Sequence, residues 1–177
     1  MESDVEVKTG KEAVDLVLDA EDMGKQSIVF VNSKRSAEAC SDRVAKNLDL
    51  KRKKKLEKIS DDILNALSSP TKQCKRLAKN VKRGCAFHHS GLNHKQRELV
   101  EDAFKEGLIR CICATPTLAA GLSMPTFRVV IRDLKRFTGG WGMQYIPVLE
   151  YHQMAGRAGR PEYDDEGQAI TVCKNDE

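Results

Sequence analysis

Two arginines placed three residues apart give the clearest chemical signal in this chain. Arg157 and Arg160 stand in the run QMAGRAGR at residues 153–160. On a helix this spacing places both side chains on one face, and the alanines and glycines around them let a phosphate approach closely. Pro161 is expected to end that helix. Two guanidinium groups on a platform of small residues suit an oxyanion such as phosphate. The alternative is a solvated arginine pair on a surface helix.

Short apolar runs of strand length alternate with helical patterns along the chain. Asn93 and Gln96 predict a capping box at the start of an amphipathic helix that Gly107 ends. The alternation predicts an α/β fold with a mainly parallel sheet and helices on both faces. The predicted strands are residues 26–31, 85–88, 109–114, 129–131 and 170–173.

Polar and turn residues follow four of these strands. They are residues 32–33 (NS), 88–91 (HHSG), 114–117 (ATPT) and 132–133 (RD). In a parallel sheet, ligands bind beyond the carboxyl ends of the strands. We therefore expect one edge of the domain to collect the candidate chemistry.

Length and composition describe one folded domain. A chain of 177 residues can bury a core of its own, and 40% hydrophobic with 32% charged residues is typical of a soluble globular protein. The apolar runs are too short to span a membrane, and the acidic residues 1–4 do not resemble a signal peptide. The net charge of +4 permits nucleic-acid binding without demanding it.

The six cysteines show no Cys-x-x-Cys spacing, and Cys111 and Cys113 fall inside a predicted apolar strand. This pattern favours reduced, buried thiols over disulfides or a zinc site. We therefore expect no metal site and a cytoplasmic location.

The strongest charge run is KRKKKLEK at residues 51–58. A solvated helix end or loop and a sequence-independent contact with a phosphate backbone both account for it, and the sequence leaves the two open. Ser60, followed by Asp61 and Asp62, predicts the start of another helix. Residues 68–70 (SSP) are expected to end it.

Four segments in order resemble the conserved motifs of superfamily-two helicases. The forms of the last two are similar to those of the Ski-like branch, and within it to the archaeal DNA-repair helicases related to the helicase part of DNA polymerase theta. The resemblance covers roughly residues 26–173. The segments are residues 28–33 for motif IV, 87–107 (beginning FHHSGL) for motif IVa, 114–121 (ATPTLAAG) for motif V and 153–160 for motif VI.

Parts of a complete helicase motor have no counterpart in this sequence. It contains no Gly-x-x-x-x-Gly-Lys-Ser/Thr phosphate loop and no Asp-Glu-x-His magnesium motif. Residues 1–177 therefore resemble the second RecA-like domain of a longer multidomain helicase, with a β-hairpin between motifs V and VI. The resemblance implies that ATP and Mg²⁺ are bound mainly by a missing first RecA-like domain, and that the chain alone does not hydrolyse ATP.

The resemblance implies nucleotide-contacting roles for residues of motifs V and VI. Arg157 and Arg160 would reach across the interdomain cleft to the ATP phosphates, with Arg160 as the arginine finger that stabilises the transition state. Gln153 would contact the nucleotide or couple it to the neighbouring motif. Gly121 would let the motif V backbone approach the ribose and the γ-phosphate, and the alternative is a simple turn glycine.

The resemblance also implies a set of residues that hold the phosphate backbone of the tracked DNA strand. Such contacts position the strand and carry no base information. Ser33 is alternatively only a helix N-cap, and the two threonines are alternatively turn residues around Pro116. His88 is expected in the core. The DNA-binding set is Asn32, Ser33, Lys34, His89, Ser90, Gly91, Thr115 and Thr117.

Residues 134–146 lie outside the common motifs and contain the only tryptophan of the chain, Trp141. The glycine pair at residues 139–140 predicts a hairpin turn. In the archaeal DNA helicases this position carries a β-hairpin that splits the duplex. The resemblance thus implies that Phe137, Trp141 or Tyr145 stacks on the last base pair or the first unpaired base. The alternative is a surface hairpin whose aromatic rings pack on the domain.

The function implied by the resemblance is the second motor domain of an ATP-dependent 3′-to-5′ DNA helicase in DNA repair or replication-fork processing. Its expected partners are DNA, as single strand and duplex junction, together with the first RecA-like domain and accessory domains of the same chain, and no membrane. Two alternatives stay open. One is a Ski-like RNA helicase domain, and the other is a non-catalytic nucleic-acid-binding or protein-docking module with a helicase shape. Retention of Gln153 and both arginines argues against the second.

Overall fold

A five-stranded parallel sheet forms the centre of the computed structural model, which describes residues 4–48, 50, 53–121, 124–161 and 163–173. The strands are β1 (Ser27–Phe30), β2 (Cys85–His88), β3 (Cys111–Ala114), β4 (Arg128–Ile131), β5 (Lys135–Phe137), β6 (Met143–Tyr145) and β7 (Gln168–Thr171). The central sheet has the order β2-β3-β1-β4-β7, with every neighbouring pair parallel. Strands β5 and β6 form a separate antiparallel hairpin.

Helices cover the sheet on both faces. They are α1 (Glu12–Asp22), α2 (Lys34–Asn47), α3 (Lys53–Asn65), α4 (Lys72–Val81), α5 (His94–Lys105), α6 (Thr117–Gly121) and α7 (Val148–Ala155). Every residue of β1, β2, β3 and β4 is buried, which requires a layer on each side of these strands. The predicted α/β fold is therefore confirmed. The predicted capping box is present at the start of α5. Within the described ranges, no helix is long and apolar enough to cross a membrane.

Helices α3 and α4 follow α2 in the chain and precede β2. They pack against each other, and α3 also packs on α5. The predicted helix start at Ser60 is wrong, because α3 begins at Lys53 and buries Leu56 and Ile63 on one continuous apolar stripe that passes Ser60. Residues 51 and 52 of the basic run lie outside the described residues. Lys54, Lys55 and Lys58 are exposed on the first turns of α3, so the alternatives for this run stay open.

Two short helices carry the chain from one edge of the sheet to the other. We call residues 32–34, 88–91, 115–117 and 132–133, which follow the strands, the carboxyl edge. Residues 26, 110 and 124–127, which precede the strands, form the amino edge. Helix α6 connects β3 to β4, and α7 lies between the hairpin that follows β4 and the strand β7. Both helices therefore run from the carboxyl edge back to the amino edge, and they contact each other.

Candidate functional site

The two arginines of the QMAGRAGR run lie beyond α7, on the amino edge. Helix α7 ends at Ala155, and Gly156 caps it. The N–H of Thr126 donates to the carbonyl oxygen of Arg157 at 2.9 Å, and the N–H of Gly159 donates to that of Thr126 at 2.7 Å. The prediction of one shared helix face is therefore wrong. Backbone pairing with Thr126 and the left-handed conformation of Gly159, with φ at 92°, replace the helical hydrogen bonds.

Arg157 connects the amino edge to α6. Its Nη2 donates to the carbonyl oxygen of Ala119 in α6 at 2.5 Å. Its Nε is buried and has no hydrogen-bond partner, which is a costly arrangement unless a further acceptor arrives. Because α6 begins at Thr117, this one helix joins the two edges of the sheet.

Arg160 is held by a buried carboxylate that the sequence analysis missed. Its Nε and Nη2 donate to the two oxygens of Asp164 at 2.7 and 3.1 Å, and its Nη1 donates to Oε1 of Gln26 at 3.3 Å. The guanidinium, together with the ammonium of Lys25, lowers the pKa of Asp164 to about 2. The spacing of four residues between Arg160 and Asp164 was the available signal, since ion pairs often use it.

Gln153 and Gly121 lie near the amino-edge ends of the two connecting helices. Gln153 is exposed in the last turn of α7, and Gly121 is the last residue of α6. All four residues expected to contact the nucleotide are thus carried away from the carboxyl edge. The four predicted segments that follow the strands do share one edge, because the sheet is parallel. The residues expected to contact the nucleotide lie apart from it, because α6 and α7 run antiparallel to the strands.

On the carboxyl edge, the residues that follow β1 are anchored to those that follow β4. The N–H of Asn32 donates to Oδ2 of Asp133 at 3.0 Å, and its Nδ2 donates to the carbonyl oxygen of Lys135 at 3.0 Å. Ser33 is the N-cap of α2, and its Oγ accepts from the N–H of Ser36 at 3.1 Å. Ser33 and Lys34 are exposed at a helix N-terminus, a place that favours anions.

In the turn after β2, His89 is buried and the next two residues are exposed. The His89 ring stacks on Phe87 with centroids 5.4 Å apart, and its Nε2 lies 3.3 Å from Oε1 of Glu38. Burial lowers the pKa of His89. Its Nδ1 accepts from the N–H of Gly91 at 3.1 Å. Ser90 and Gly91 are exposed, so they can meet a phosphate backbone while the imidazole shapes their turn.

His88 is a core residue, as expected. It is 5% exposed, and its Nε2 lies 2.8 Å from Oε1 of Glu101 on α5. Burial lowers the pKa of His88, and its Nδ1 is buried without a hydrogen-bond partner.

Of the two threonines of motif V, Thr117 lines a small cavity on the carboxyl edge. The Oγ1 atoms of the two threonines are 3.0 Å apart, and Thr117 is exposed. The cavity, of about 280 Å³, is lined by Thr117, Ser90 and Arg97, among others. Arg97 lies within motif IVa, and its sequence position indicated no role of its own. The guanidinium and the hydroxyl groups can donate to phosphate oxygens, and the carboxylates of Glu98 and Glu101 line the same cavity.

The hairpin expected between motifs V and VI is present, with Phe137 opposite Met143. Its connection spans residues 138–142 and includes a 3₁₀ turn at Gly139–Trp141, so it is longer than the predicted glycine pair. The N–H of Thr138 donates to the carbonyl oxygen of Gly142 at 2.9 Å. Gly142, which has a positive φ of 69°, thus closes the turn, and this third glycine, outside the predicted pair, explains the difference.

The aromatic rings of the hairpin point to solvent. Trp141 is 83% exposed, Phe137 71% and Tyr145 60%. The ammonium of Lys135 lies 4.6 Å from the centre of the Tyr145 ring. The alternative in which these rings pack on the domain therefore finds no support in this arrangement.

Five cysteines are buried and one, Cys173, is exposed. The Sγ atoms of Cys85, Cys111 and Cys113 all lie within 4.8 Å of one another. Thiols so placed are soft ligands of the kind that bind Zn²⁺. The spacing along the chain hid this cluster, because Cys85 stands opposite Cys111 on the neighbouring strand. The expectation of no metal site stays a prediction.

Comparison with known proteins identifies the family. Residues 63–162 match the family model of the helicase conserved C-terminal domain, and this match covers more than half of the chain. The chain therefore belongs to the helicase conserved C-terminal domain family. The expected RecA-like fold and the resemblance to the second RecA-like domain of a superfamily-two helicase are confirmed.

Individual relatives point in the same direction. The chain is 46% identical over 164 residues to the "ATP-dependent DNA helicase Hel308" of Methanocella arvoryzae, and this alignment covers 90% of the chain and 22% of that protein. Identity to the protein of the same name from Pyrococcus abyssi is also 46%, over 92% of the chain and 22% of that protein. For the protein of that name from Pyrobaculum calidifontis it is 42%, over 94% of the chain and 24% of that protein. The chain thus spans less than a quarter of the length of these relatives.

Proposed function

We propose that this chain is the second motor domain of an ATP-dependent 3′-to-5′ DNA helicase, and one domain of a longer protein. The main support for this proposal is that α6 connects the carboxyl edge to the amino edge. This helix begins at Thr117 on the carboxyl edge, and Arg157 bonds to its Ala119 from the amino edge. One short helix thus joins hydroxyls suited to DNA phosphates with guanidiniums suited to nucleotide phosphates. That connection suits a motor in which each hydrolysis cycle shifts the DNA-gripping residues.

The amino edge fits the phosphates of ATP. Arg157 has a buried Nε without a partner. Arg160 uses three of its five N–H donors inside the domain, so two remain. In this proposal Arg160 is the arginine finger that stabilises charge on the transferring phosphoryl group, a role worth about 10³ to 10⁵ in rate. Gln153 and Gly121 contact the nucleotide from the ends of α7 and α6.

We assign Mg²⁺ and the main ATP contacts to the first RecA-like domain. Among the residues that the structure describes, the group of three metal-ligating side chains consists of thiols, and Mg²⁺ prefers carboxylate and water oxygens. The isolated chain is therefore expected not to hydrolyse ATP. DNA-stimulated turnover by the purified 177-residue chain, above that of an Arg157→Ala/Arg160→Ala double variant, would contradict this expectation.

The carboxyl edge is proposed to grip the backbone of one DNA strand. Its exposed groups are hydroxyls, backbone amides and one ammonium, which contact phosphates without reading bases. The names of the relatives, "ATP-dependent DNA helicase", support DNA over RNA. Stronger unwinding of RNA than of DNA by the complete helicase would favour the RNA alternative. The proposed contacts come from Asn32, Ser33, Lys34, the backbone of His89, Ser90, Gly91, Thr115 and Thr117.

The decisive test uses the complete helicase with Arg160→Ala. We expect its DNA-stimulated ATPase rate to fall by about 10³-fold or more, because the transition state loses its finger, while single-strand DNA still binds. Arg43→Ala, which removes an exposed arginine on α2, serves as the matched control and should leave the rate unchanged. An unchanged rate in Arg160→Ala would favour the non-catalytic alternative.

The hairpin is proposed to separate the strands. Its exposed rings offer stacking surfaces, worth about 1 to 3 kcal/mol per base, and its base is fixed by an ion pair of 2.8 Å between Arg136 and Glu150. Replacing residues 138–142 by a short Gly/Ser turn in the complete helicase should abolish unwinding and leave the DNA-stimulated ATPase in place. Unimpaired unwinding together with unimpaired ATPase would exclude the strand-separating role.

The cellular setting follows from the same resemblance. A role in DNA repair or replication-fork processing, partners in the accessory domains and a cytoplasmic location are proposed with it. Five buried free cysteines are consistent with a reducing compartment.

A further inference from the structure

Three groups from two parts of the chain surround Arg160: Asp164, four residues further on, and the neighbouring pair Lys25 and Gln26 before β1. Asp164 accepts two of its N–H donors, at 2.7 and 3.1 Å, and Gln26 accepts a third at 3.3 Å. The ammonium of Lys25 lies 2.7 Å from the same Asp164 carboxylate. The side chain of Asp164 is 1% exposed, whereas that of Arg160 is 24% exposed. The carboxylate is therefore inside the domain and the guanidinium lies at its surface.

Hydrogen bonds to two backbone carbonyls fix the orientation of the Gln26 side chain independently of Arg160. The Nε2 of this buried residue donates one hydrogen to the carbonyl oxygen of Phe104 and the other to that of Ile109, both at 2.7 Å. Its Oε1 therefore has one orientation, and that orientation faces Arg160. The turn that carries Asp164 is fixed as well, since its N–H donates to the carbonyl oxygen of Arg160 at 2.8 Å.

These contacts hold Arg160 without using up its capacity to bind an anion. Asp164 occupies the edge formed by Nε and one hydrogen of Nη2, and Gln26 occupies one hydrogen of Nη1. One hydrogen on each terminal nitrogen is left, and Arg160 lines an open cavity of about 560 Å³. Two cations share the single carboxylate, so the cluster of Lys25, Arg160 and Asp164 keeps one net positive charge. A cluster that neutralised Arg160 and so blocked anion binding would instead carry a net charge of zero or below.

We propose that Asp164 and Gln26 are positioning residues that hold the Arg160 guanidinium side-on, so that its two remaining N–H donors are presented to a nucleotide phosphate. This inference rests on the proposed function of Arg160 as an arginine finger. The physical benefit is preorganisation. A finger already held in place needs no reordering when the transition state forms, and a loss of about 1 Å in placement costs on the order of 10²-fold in rate.

The test is a double-variant cycle on the ATPase of the complete helicase, with Asp164→Asn as the probe. This substitution keeps the shape of the side chain and removes the carboxylate. We expect kcat to fall about 10- to 100-fold, with KM for ATP changed less than about twofold, since the finger acts in the transition state. In an Arg160→Ala background the same substitution should cause no further loss of kcat. Asp165→Asn, at the exposed neighbouring position, is the matched control and should match the wild type.

Effects on stability and effects on kcat are measured separately. Each variant is also compared by thermal unfolding, and rates are measured below the unfolding transition of the least stable one. Equal losses of kcat in the wild-type and Arg160→Ala backgrounds would mean that Asp164 acts independently of Arg160, and would overturn the proposal. A full rate in Asp164→Asn, with a large loss in Arg160→Ala, would also overturn it and would leave the arginine-finger proposal intact. If Arg160→Ala keeps the full rate, the function proposed for the domain fails first.

Discussion

At the amino edge, Arg157 and Arg160 bind partners that lie 38 and 134 residues away in the chain. At the carboxyl edge, Ser33 and Thr117 bond to partners three and two residues away. The two arginines thus depend on tertiary contacts in addition to the local ion pair of Arg160 with Asp164. The hydroxyls of Ser33 and Thr117 are held by local turns and helix caps, and the long-range bonds of the carboxyl edge belong to other residues, such as Asn32, which bonds to Asp133. The positions of the arginines and of the two hydroxyls therefore depend on different parts of the structure. A change in the core can displace the arginines, whereas the hydroxyls of Ser33 and Thr117 keep their positions as long as the strand ends and the first turn of α2 persist.

After Arg160→Ala, the largest effect should come from breaking the connection between the edges. Arg157→Ala in the complete helicase removes the hydrogen bond to Ala119, and we expect the DNA-stimulated ATPase to fall by about 10²- to 10³-fold. Affinity for single-strand DNA in the absence of nucleotide should change less than about twofold. Thr117→Ala, at the other end of α6, should act mainly on DNA affinity. Equal losses of DNA affinity in the two variants would mean that the edges do not have separate tasks.

Gly167, which precedes β7 beside the amino edge, and Gly91, on the carboxyl edge, should tolerate a side chain to different degrees. A Cβ at Gly167 would lie 2.2 Å from the backbone nitrogen of Gly159, whereas a Cβ at Gly91 would lie 3.0 Å from the His89 ring. Gly167→Ala must therefore shift backbone, and we expect it to lower the free energy of unfolding by about 1 to 3 kcal/mol. Gly91→Ala should cost less, about 1 kcal/mol. Urea unfolding of the isolated chain measures both, and an equal loss would contradict the contrast.

Acid should weaken the amino edge by protonating Asp164. The pKa of Asp164 is lowered to about 2 in the folded chain, mainly by its hydrogen bond from Arg160, against an ordinary value of 3.8. Because the folded pKa is the lower one, this carboxylate stabilises the fold above about pH 4, and the stabilisation is lost as the pH falls toward 2. The difference corresponds to about 2 kcal/mol.

Unfolding curves between pH 6 and pH 2 measure this effect. Asp164→Asn should be less stable than the wild type near neutral pH and should lose less of its stability on acidification. Asp165→Asn again serves as the control. A parallel pH dependence in the wild type and Asp164→Asn would contradict the assignment of the acid loss to Asp164.

The smallest effect is expected at the cap of α2. Ser33→Ala removes the acceptor for the N–H of Ser36, and such a loss typically costs about 1 kcal/mol. Thermal unfolding of the isolated chain measures it, with Ser33→Asp as a variant that retains a capping group. Because the proposed DNA contact uses the same hydroxyl, Ser33→Asp should keep stability but weaken DNA binding by charge repulsion. Equal DNA binding by Ser33→Asp and the wild type would reduce Ser33 to a helix cap.

Several features of this chain follow from the sequence with little help from the fold. The alternation of apolar runs and helical patterns predicts the α/β class, and the Asn93 capping box and the hairpin after Asp133 are where they were predicted. His88 was expected in the core and lies there. These features depend on spacing within about ten residues, which the sequence displays directly. The helix start at Ser60 failed for the same local reason, since a good capping residue can also lie within a longer apolar stripe.

The placement of the arginines depends on the tertiary structure. The sequence determines that Arg157 and Arg160 are two guanidiniums among small residues, and that composition predicts a phosphate site wherever they lie. Helical periodicity placed them on one face, but pairing with Thr126 ends the helix six residues before Pro161 and sends the two side chains to different partners. Gln26 meets Arg160 only because β1 lies in the middle of the sheet next to β4. Contacts between residues more than a hundred positions apart leave no periodic trace in a single sequence, so the sheet order decides that Gln26 meets Arg160, whereas Asp164 lies only four residues from it.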